Sequence, residues 1–375
     1  MDAMRIAPIC RNRLASWSLM VWMGLAGALP AAAFEQCPQP QFGVSGISID
    51  KTAATAAEAQ ANGITEAAGI GFRRVLDRLL RSDAAVEAFV AEASIDQFVD
   101  FYHISEENSL EGRYIALLDY CFDAPRLRAA FRDAGLQWAE LKSPRILVLP
   151  VWLAPDGARA WQVDNEWLAG WRDVVETADG LVDFTLLQPT ILNERSLRAE
   201  DIAAADPATL RRAATVAGAE QIMLVTARLD YDGSQPMLAV DGELFTSGAE
   251  ALTVLARMVD RPVFDNLSVQ LDFARKQILS ELETGWHRAN IIEGGETREI
   301  TVSVPVAGLQ DWVSRLEAFR SLAVIDKVTI RKLDMTGGLV SLSFVGNDAA
   351  IANALAARNL RLVQREDGSN VIEPL

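Results

Sequence analysis

An almost unbroken run of apolar residues, 145–153, dominates the pattern of apolar and polar positions along the chain. Pro144 precedes the run and Pro155 follows it, so turn-forming residues bracket a segment of strand length. A run without polar alternation is typical of a strand that is buried on both faces. Pro150 cannot donate to a strand ladder, and it therefore predicts a bulge or an edge position within this strand.

The residues before this run predict an N-terminal α+β domain over residues 34–142. Apolar residues at every second position indicate strands, and apolar residues three or four positions apart indicate helices. The strands are predicted at residues 42–49, 95–104 and 113–122, and the helices at residues 51–80, 84–93 and 126–134. The polar residues 106–112 indicate a hairpin between the last two strands. Gly63, Gly69 and Gly71 weaken the case for a single straight first helix.

Residues 143–292 predict a middle α/β domain with a mixed sheet and flanking helices. Asp206 and Pro207 form a strong helix start, and Gly218 ends that helix just before an apolar strand. A helix followed directly by an apolar strand is typical of the connection between two parallel strands. The strand at residues 221–229 is therefore placed beside the strand at residues 145–153. The remaining elements are strands at residues 182–187 and 237–245, the latter at an edge, and helices at residues 165–178, 249–259 and 267–286.

The C-terminal residues 297–375 predict the order strand, helix, strand, strand, helix, strand. This succession is the ferredoxin-like βαββαβ arrangement. Its elements are predicted at residues 298–304, 308–322, 324–333, 339–345, 348–358 and 360–364. The whole chain is thus predicted to combine α/β and α+β architecture, with residues 293–296 as the linker before the last domain.

The first 33 residues have the features of a secretory signal peptide. Arg5, Arg11 and Arg13 form a basic start, residues 14–29 form an apolar stretch, and three alanines end the segment as a cleavage site. An uncleaved membrane anchor is the alternative, but the apolar stretch is short for one. Cys37 does not follow the small residues of a lipid-attachment site. We therefore expect a soluble periplasmic protein that is not a lipoprotein and has no stable membrane insertion after signal cleavage.

The charge of the chain narrows the range of partners. The formal net charge is -16, and signal cleavage would remove three arginines and one aspartate, which makes the chain still more acidic. Negative charge repels phosphate backbones and anionic lipid surfaces. Nucleic acid is therefore not an expected partner.

Two cysteines, Cys37 and Cys121, remain after cleavage, because Cys10 leaves with the signal peptide. An even pair in an oxidising compartment favours a disulfide. Two separately buried thiols are the alternative, since pairing requires Cα atoms within about 7 Å of each other.

Catalytic patterns in the sequence are weak. Residues 48–51 match the S-x-x-K motif of penicillin-recognising enzymes, but Ser48 falls in a predicted strand and the partner motifs are missing. His103 and Cys121 could supply a base and a thiol, yet symmetric pairing of the predicted hairpin puts them on opposite faces. We expect no catalytic residue.

Metal and cofactor patterns are equally weak. The other histidine, His287, falls near a helix end, where a terminal charge or a solvated side chain is the simpler interpretation. Asp230 and Asp232 begin like a calcium loop but lack its later ligands, so a hairpin turn is favoured. No metal and no cofactor are expected.

Four tryptophans are crowded into twenty residues: Trp152, Trp161, Trp167 and Trp171. Trp167 and Trp171 are four positions apart and share one helical face. The cluster could be an aromatic platform for a glycan, a peptide or a partner protein. It could also be the packed junction between a helix and the sheet, which helical spacing favours.

Four stretches carry a resemblance to known proteins. They are residues 72–80 (FRRVLDRLL), 146–152 (ILVLPVW), 217–229 (AGAEQIMLVTARL) and 313–330 (VSRLEAFRSLAVIDKVTI). By these stretches the chain resembles a family of exported proteobacterial proteins known only as a domain of unknown function. The middle domain also resembles the amino-terminal domain of the TolB translocation protein and the periplasmic domain of the curli-secretion lipoprotein. The resemblance implies a role in envelope assembly or protein contact.

These observations lead to three functional hypotheses. The first is a periplasmic protein without catalysis that docks onto a cell-envelope protein or assembly through its middle domain. The alternative is a periplasmic protein that binds a glycan or a peptide with the tryptophans of residues 152–171. The second alternative is a hydrolase of unrecognised type.

Overall fold

The computed structural model of the chain describes residues 37–246, 253–262, 266–293, 297–334 and 336–375. The predicted signal peptide and residues 294–296 of the predicted linker lie outside these ranges. Cys37–Leu375 forms one packed unit with mixed α/β and α+β content, in agreement with the predicted fold class. None of the helices in the described part of the chain combines the length and the apolar character needed to cross a membrane.

An antiparallel three-stranded sheet with three helices makes up the N-terminal part. The strands are β1 (Gly43–Thr52), β2 (Val99–Leu110), β3 (Arg113–Phe122) and the short, separate β4 (Gln137–Trp138), and the helices are α1 (Ala56–Leu80), α2 (Asp83–Glu92) and α3 (Ala124–Asp133). β3 lies between β1 and β2. β2 extends through the residues that were expected to form a polar connection, so the hairpin turns tightly at Glu111 and Gly112.

α1 is one continuous helix despite its three glycines. Two of them pack closely against the sheet. A Cβ added to Gly63 would lie 3.0 Å from Ile49, and one added to Gly71 would lie 3.0 Å from Ile47. These glycines therefore allow α1 to approach β1 more closely than a larger residue would permit.

A mixed six-stranded sheet forms the middle part. Its strands are β5 (Arg145–Ala154), β6 (Gly157–Arg159), β7 (Asp183–Leu186), β8 (Gln221–Asp232), β9 (Gln235–Thr246) and β10 (Thr253–Pro262), and its helices are α4 (Glu166–Thr177), α5 (Ile191–Ser196), α6 (Ala199–Ala203), α7 (Pro207–Ala217) and α8 (Leu267–Ala289). The strand order is β10-β9-β8-β5-β6. β7 also pairs with β5, at the beginning of that strand, whereas β6 pairs with its end. β5 and β8 are parallel neighbours, which confirms the predicted pairing.

The predicted helix at residues 249–259 is wrong. Residues 249–252 lie outside the described residues, and the others belong to β10, which pairs antiparallel with β9. β9 is therefore an inner strand and not the predicted edge. Apolar residues at mixed spacings in a short segment fit either structure, and here the ladder offered by β9 decides the outcome.

Helices cover both faces of the middle sheet. α4 and α8 pack on one face, and α6 and α7 pack on the other. α7 starts and ends as predicted, because the Asp206 carboxylate accepts the Thr209 N–H at 2.7 Å and Gly218 adopts a φ of 61°.

The C-terminal part differs from a ferredoxin-like domain by one strand. Its elements are β12 (Arg298–Pro305), α9 (Leu309–Ser321), β13 (Ile325–Asp334), β14 (Gly337–Phe344), α10 (Asp348–Ala356), β15 (Leu360–Gln364) and β16 (Asn370–Pro374), preceded by the short β11 (Ile292–Glu293). β16 lies between β12 and β15, parallel to β12. The sheet is therefore five-stranded, and β15 is displaced one position outward. Only Val371 and Ile372 of β16 are buried apolar residues, which is too weak a pattern to reveal a strand.

The N-terminal and C-terminal parts share one hydrophobic core. β4 pairs with β11, and the end of α8 packs beside them. The Trp286 indole N–H donates to the Leu141 carbonyl at 2.7 Å, and the Asn353 amide donates to the Asn290 side-chain oxygen at 2.9 Å. Segments far apart in the sequence are thus joined at this junction.

Candidate functional site

One edge of β5 is interrupted at Pro150. On the other edge, β8 pairs with β5 continuously over residues 146–153. On the interrupted edge, β7 pairs with residues 145–148 and β6 with residues 152–154, so residues 149–151 have no strand partner among the described residues. A proline is tolerated where a ladder is broken. Pro150 therefore sits in a central strand, at a point where one edge of that strand is locally unpaired.

The interruption coincides with a reversal in the chain path. The connection that follows β5 leads to α4 on one face of the sheet, whereas the connection that follows β7 leads to α6 and α7 on the other face. The carboxyl ends of the parallel strands β5 and β7 therefore diverge at a topological switch point. In open α/β sheets, ligands bind in the crevice at such a point.

A cleft of about 220 Å³ opens at this position, between β5, β7 and α4. Its apolar wall includes Val148, Leu168 and Phe184, and Trp161 also lines it. Sites for drug-sized ligands occupy roughly 300–1,000 Å³. This cleft is smaller, and it fits a single side chain or a chain terminus.

Arg172 of α4 is the cation in the cleft wall. It is half-buried, and its guanidinium forms no hydrogen bond or ion pair within the described part of the chain. Glu176 follows one turn later and also lines the cleft, but the two side chains do not pair. An arginine that precedes glutamate by four positions is the less favourable order on a helix. The guanidinium is therefore available to an anionic group.

Apolar side chains stand exposed beside the cleft. Pro189 lines the cleft, and α5 begins two residues later. Ile191 and Leu192 at the start of α5 are 70% and 75% exposed. Exposed aliphatic residues next to a crevice are typical of a contact surface.

The four tryptophans do not form one surface. Trp167 and Trp171 are completely buried, with ring centroids 5.5 Å apart in an edge-to-face arrangement, so for these two the packed junction is the alternative that the structure contains. Trp152 is half-buried against the same core, and only Trp161 lines the cleft. The Trp161 indole N–H donates to the Leu197 carbonyl at 3.0 Å, which fixes the ring in place.

A buried arginine supports the tryptophan pair from α8. The Arg275 guanidinium lies 5.5 Å from the ring centroid of Trp167, forms an ion pair with Asp272 and donates to the Glu166 carbonyl at 3.3 Å. Gly170 makes this possible, because a Cβ there would lie 2.2 Å from the guanidinium carbon of Arg275. This side of α4 is filled and has no room for a ligand.

The cysteines lie away from the cleft. Cys37 and Cys121 form a disulfide with a Cα–Cα distance of 5.4 Å, so of the two alternatives the structure contains the bonded one. The bridge ties the start of the described chain to β3. The expectation that His103 and Cys121 lie on opposite faces is wrong, because His103 pairs with Asp119, two residues from Cys121. Cys121 has no free thiol, however, so it cannot act as a nucleophile.

Serine, histidine and aspartate side chains meet on β2 and β3 without forming a catalytic triad. The Ser105 hydroxyl donates to Asp119 Oδ2 at 2.7 Å, and His103 Nδ1 lies 3.7 Å from the same oxygen. Asp119 Oδ1 accepts the N–H of Gly46 at 2.8 Å. In a triad the histidine links the two other groups, whereas here the carboxylate binds the serine directly. Asp119 stabilises the irregular backbone of β1 at Gly46.

The other candidate chemistry has structural explanations. Ser48 lies within β1, and Lys51 forms an ion pair with Glu66. Asp230 and Asp232 end β8 at a hairpin turn to β9. Among the described residues, no group of three or more histidine, cysteine or carboxylate side chains could hold a metal ion.

Burial shifts the pKa values of several groups at the junction of α1 and α8. Burial lowers the pKa of the Arg78 guanidinium, raises that of the Glu283 carboxyl and lowers that of the His287 imidazole. His287 Nε2–H donates to the Leu79 carbonyl at 2.8 Å, and Glu283 pairs with Arg81. His287 and Glu283 thus join α8 to the end of α1, and Arg78 joins α1 to Asp179, which gives the shifts a structural cause.

Sequence reasoning located the cleft only in part. It named Trp161 among the candidate binding residues, but it missed Arg172. The available signal was its position: Arg172 follows Trp171, and with Leu168 it lies on a face of α4 different from that of the buried tryptophans. That this arginine lacks a partner becomes visible only in the folded structure.

No protein-family model matches the chain, and no curated protein matches it. Among solved structures, the chain is similar to the crystal structure of lipoprotein GNA1162 from Neisseria meningitidis. The identity is 14%, the match covers 38% of this chain and 99% of the other, and the TM-score is 0.23. A similarity at this level carries no inference about fold or function.

Proposed function

We propose that the protein is a non-catalytic docking protein of the cell envelope, and that the cleft beside β5 receives a carboxylate-bearing side chain or chain terminus of a partner protein. The observation that carries the proposal is Arg172, a half-buried guanidinium without a partner among the described residues in a crevice at a switch point. A carboxylate satisfies a guanidinium with two parallel hydrogen bonds. The surrounding apolar wall excludes water, which strengthens the pairing between the carboxylate and the guanidinium.

The size of the cleft supports a polypeptide group as the occupant. A volume of about 220 Å³ accommodates one side chain or chain terminus but not the ring of a glycan with its neighbours. The exposed Ile191 and Leu192 supply apolar area beside the cleft, as protein contacts require. The buried positions of Trp167 and Trp171 remove the platform on which glycan binding rested.

The features of residues 1–33 and the disulfide support export as part of this proposal. A bond between Cys37 and Cys121 persists in an oxidising compartment and is rare in the cytosol. The resemblance to exported proteins of the envelope favours the same compartment.

Site-specific photocrosslinking in living cells tests this function. A photoreactive phenylalanine analogue is placed at Gln162, an exposed position that lines the cleft, and for comparison at Arg211 on the opposite face of the sheet. We expect a discrete adduct with an envelope protein from position 162 and none from position 211. The adduct should disappear when Arg172→Glu is added and persist with Arg288→Glu, an exposed arginine on α8.

Two results would contradict the proposal. One is an adduct at position 162 that Arg172→Glu leaves unchanged. The other is the absence of any discrete adduct from position 162 in cells that produce and export the folded protein.

A further inference from the structure

A second concave region lies where the N-terminal and C-terminal parts meet. Two adjoining cavities of about 490 and 520 Å³ share Arg128, Arg320 and Ser321 in their walls. We call this region the basic groove and define it by five cations: Arg128, Arg132, Lys142, Arg320 and Arg358.

The charge of the basic groove opposes that of the whole chain. The chain carries a formal net charge of -16, yet the walls of the two cavities hold five cations and two carboxylates, Glu140 and Asp326. Glu140 is already paired, because it accepts two hydrogen bonds from Arg128 Nε. The groove therefore presents excess positive charge to a ligand.

Four of the five cations have no protein partner. Arg132, Lys142, Arg320 and Arg358 form no side-chain hydrogen bond or ion pair with any described residue, and all four are exposed to solvent. Many other arginines of the chain pair with a carboxylate, as Arg113 does with Asp50. Unpaired cations gathered in the walls of two adjoining cavities favour the binding of an anion.

Arg128 gives the groove a fixed centre. Its guanidinium pairs with the buried carboxylate of Glu140, donates to Gln39 and lies 5.2 Å from the ring centroid of Phe42. Its side chain is 18% exposed. The central cation is therefore held in place before any ligand arrives, which lowers the entropy lost on binding.

We propose that the basic groove binds a small ligand that carries at least two phosphate groups. Four of the five cations are arginines, whose planar guanidinium groups match phosphate oxygens with paired hydrogen bonds. Cavities of about 490 and 520 Å³ are of the size that holds a small molecule. Because the cations line two adjoining cavities that share Arg128 and Arg320, a ligand with two anionic groups engages more of them than a single phosphate. This inference is independent of the function proposed for the cleft.

A free ligand suits the groove better than a membrane surface. The site is concave, and the acidic remainder of the chain repels anionic lipids. Alanines such as Ala323 and Ala354 line the floor and leave space for a compact group.

Isothermal titration calorimetry of the full exported chain with pyrophosphate tests the proposal. We expect saturable binding that is stronger than the binding of inorganic phosphate. Arg320→Ala and Arg358→Ala should each weaken pyrophosphate binding about tenfold, the size typical of one charged hydrogen-bonding group. Because neither side chain has a protein partner, both variants should keep the thermal stability of the parent. Arg211→Ala and Arg288→Ala, which remove exposed arginines elsewhere, should leave binding unchanged.

Vesicles of dioleoylphosphatidylglycerol provide the second arm, with dioleoylphosphatidylcholine vesicles as the neutral comparison. We expect the protein to sediment with neither. The proposal would be overturned by absence of pyrophosphate binding, by equal weakening in the control variants, or by Arg320-dependent binding to the anionic vesicles in place of pyrophosphate.

Discussion

The two sides of α4 differ in what they contact. One side carries Trp167 and Trp171, which are completely buried against the sheet and against Arg275 of α8. The other side carries Leu168 and Arg172, which line the open cleft beside β5. The first side is a filled core, and the second is a candidate binding surface.

The difference shows which residue type marks the site. Tryptophans at helical spacing could form a binding platform, yet Trp167 and Trp171 instead pack α4 against the sheet. The binding side is marked by one arginine without a partner among the described residues. Substitutions of the buried tryptophans should therefore lower stability, whereas substitutions of Arg172 should reduce binding.

The largest effect is expected for Trp167→Ala. Removal of a completely buried indole leaves a cavity and frees the Val225 carbonyl, which accepts the indole N–H at 3.3 Å. The free energy of unfolding should fall by about 3–5 kcal/mol, measured by urea denaturation. Trp161→Ala, which removes a partly exposed ring at the cleft, is the comparison and should cost clearly less. Equal losses of unfolding free energy in the two variants would contradict the distinction between a filled side and an open side of α4.

Gly170→Ala tests the packing around Arg275. The added Cβ would lie 2.2 Å from the guanidinium carbon, so Arg275 must leave its place above Trp167. We expect a loss of about 1–3 kcal/mol in unfolding free energy. The matched control is Gly285→Ala in α8, where an added Cβ has no neighbour within 4 Å. That change should stabilise the protein by about 0.5–1 kcal/mol, through helix propensity alone.

The free energy of unfolding should also depend on pH through His287, at the end of α8. Burial lowers the pKa of this imidazole, so the folded state binds its proton less readily than the unfolded state. The stabilising contribution is complete above the unfolded pKa of about 6.5 and is lost as the pH falls below it. Unfolding free energies at about pH 7.5 and pH 5.5 should differ more in the parent than in His287→Gln. An equal difference in the parent and in His287→Gln would contradict this account.

The smallest effect on stability is expected for Arg172→Ala. Because this guanidinium has no described partner, its loss should change the unfolding free energy by less than about 0.5 kcal/mol. The photocrosslink at position 162 should nevertheless be lost. A destabilisation of several kcal/mol would show that Arg172 is part of the core and not of a site.

Much of the fold follows from local patterns. Asp206 and Gly218 define α7, and the apolar runs of β5 and β8 predict their parallel pairing. The pattern fails where pairing with a distant strand decides the structure. β10 has apolar spacings that also fit a helix, and its ladder with β9 is a tertiary contact.

The candidate site is less accessible to sequence reasoning than the fold. Trp161, which lines the cleft, could be named as a candidate, because tryptophan is enriched at binding hot spots. The gap at Pro150 could not be predicted, since it depends on where β6 and β7 pair along the same edge. The unpaired state of Arg172 also depends on which side chains surround it after folding.

The most direct test of the two sides of α4 compares photocrosslinking per folded molecule in Trp167→Phe and Arg172→Glu. Trp167→Phe should lower the unfolding free energy and leave the crosslinking yield from position 162 unchanged. Arg172→Glu should leave the unfolding free energy unchanged and abolish the crosslink. If Arg172→Glu crosslinks as well as the parent does while it remains folded, the cleft beside β5 is not the docking site.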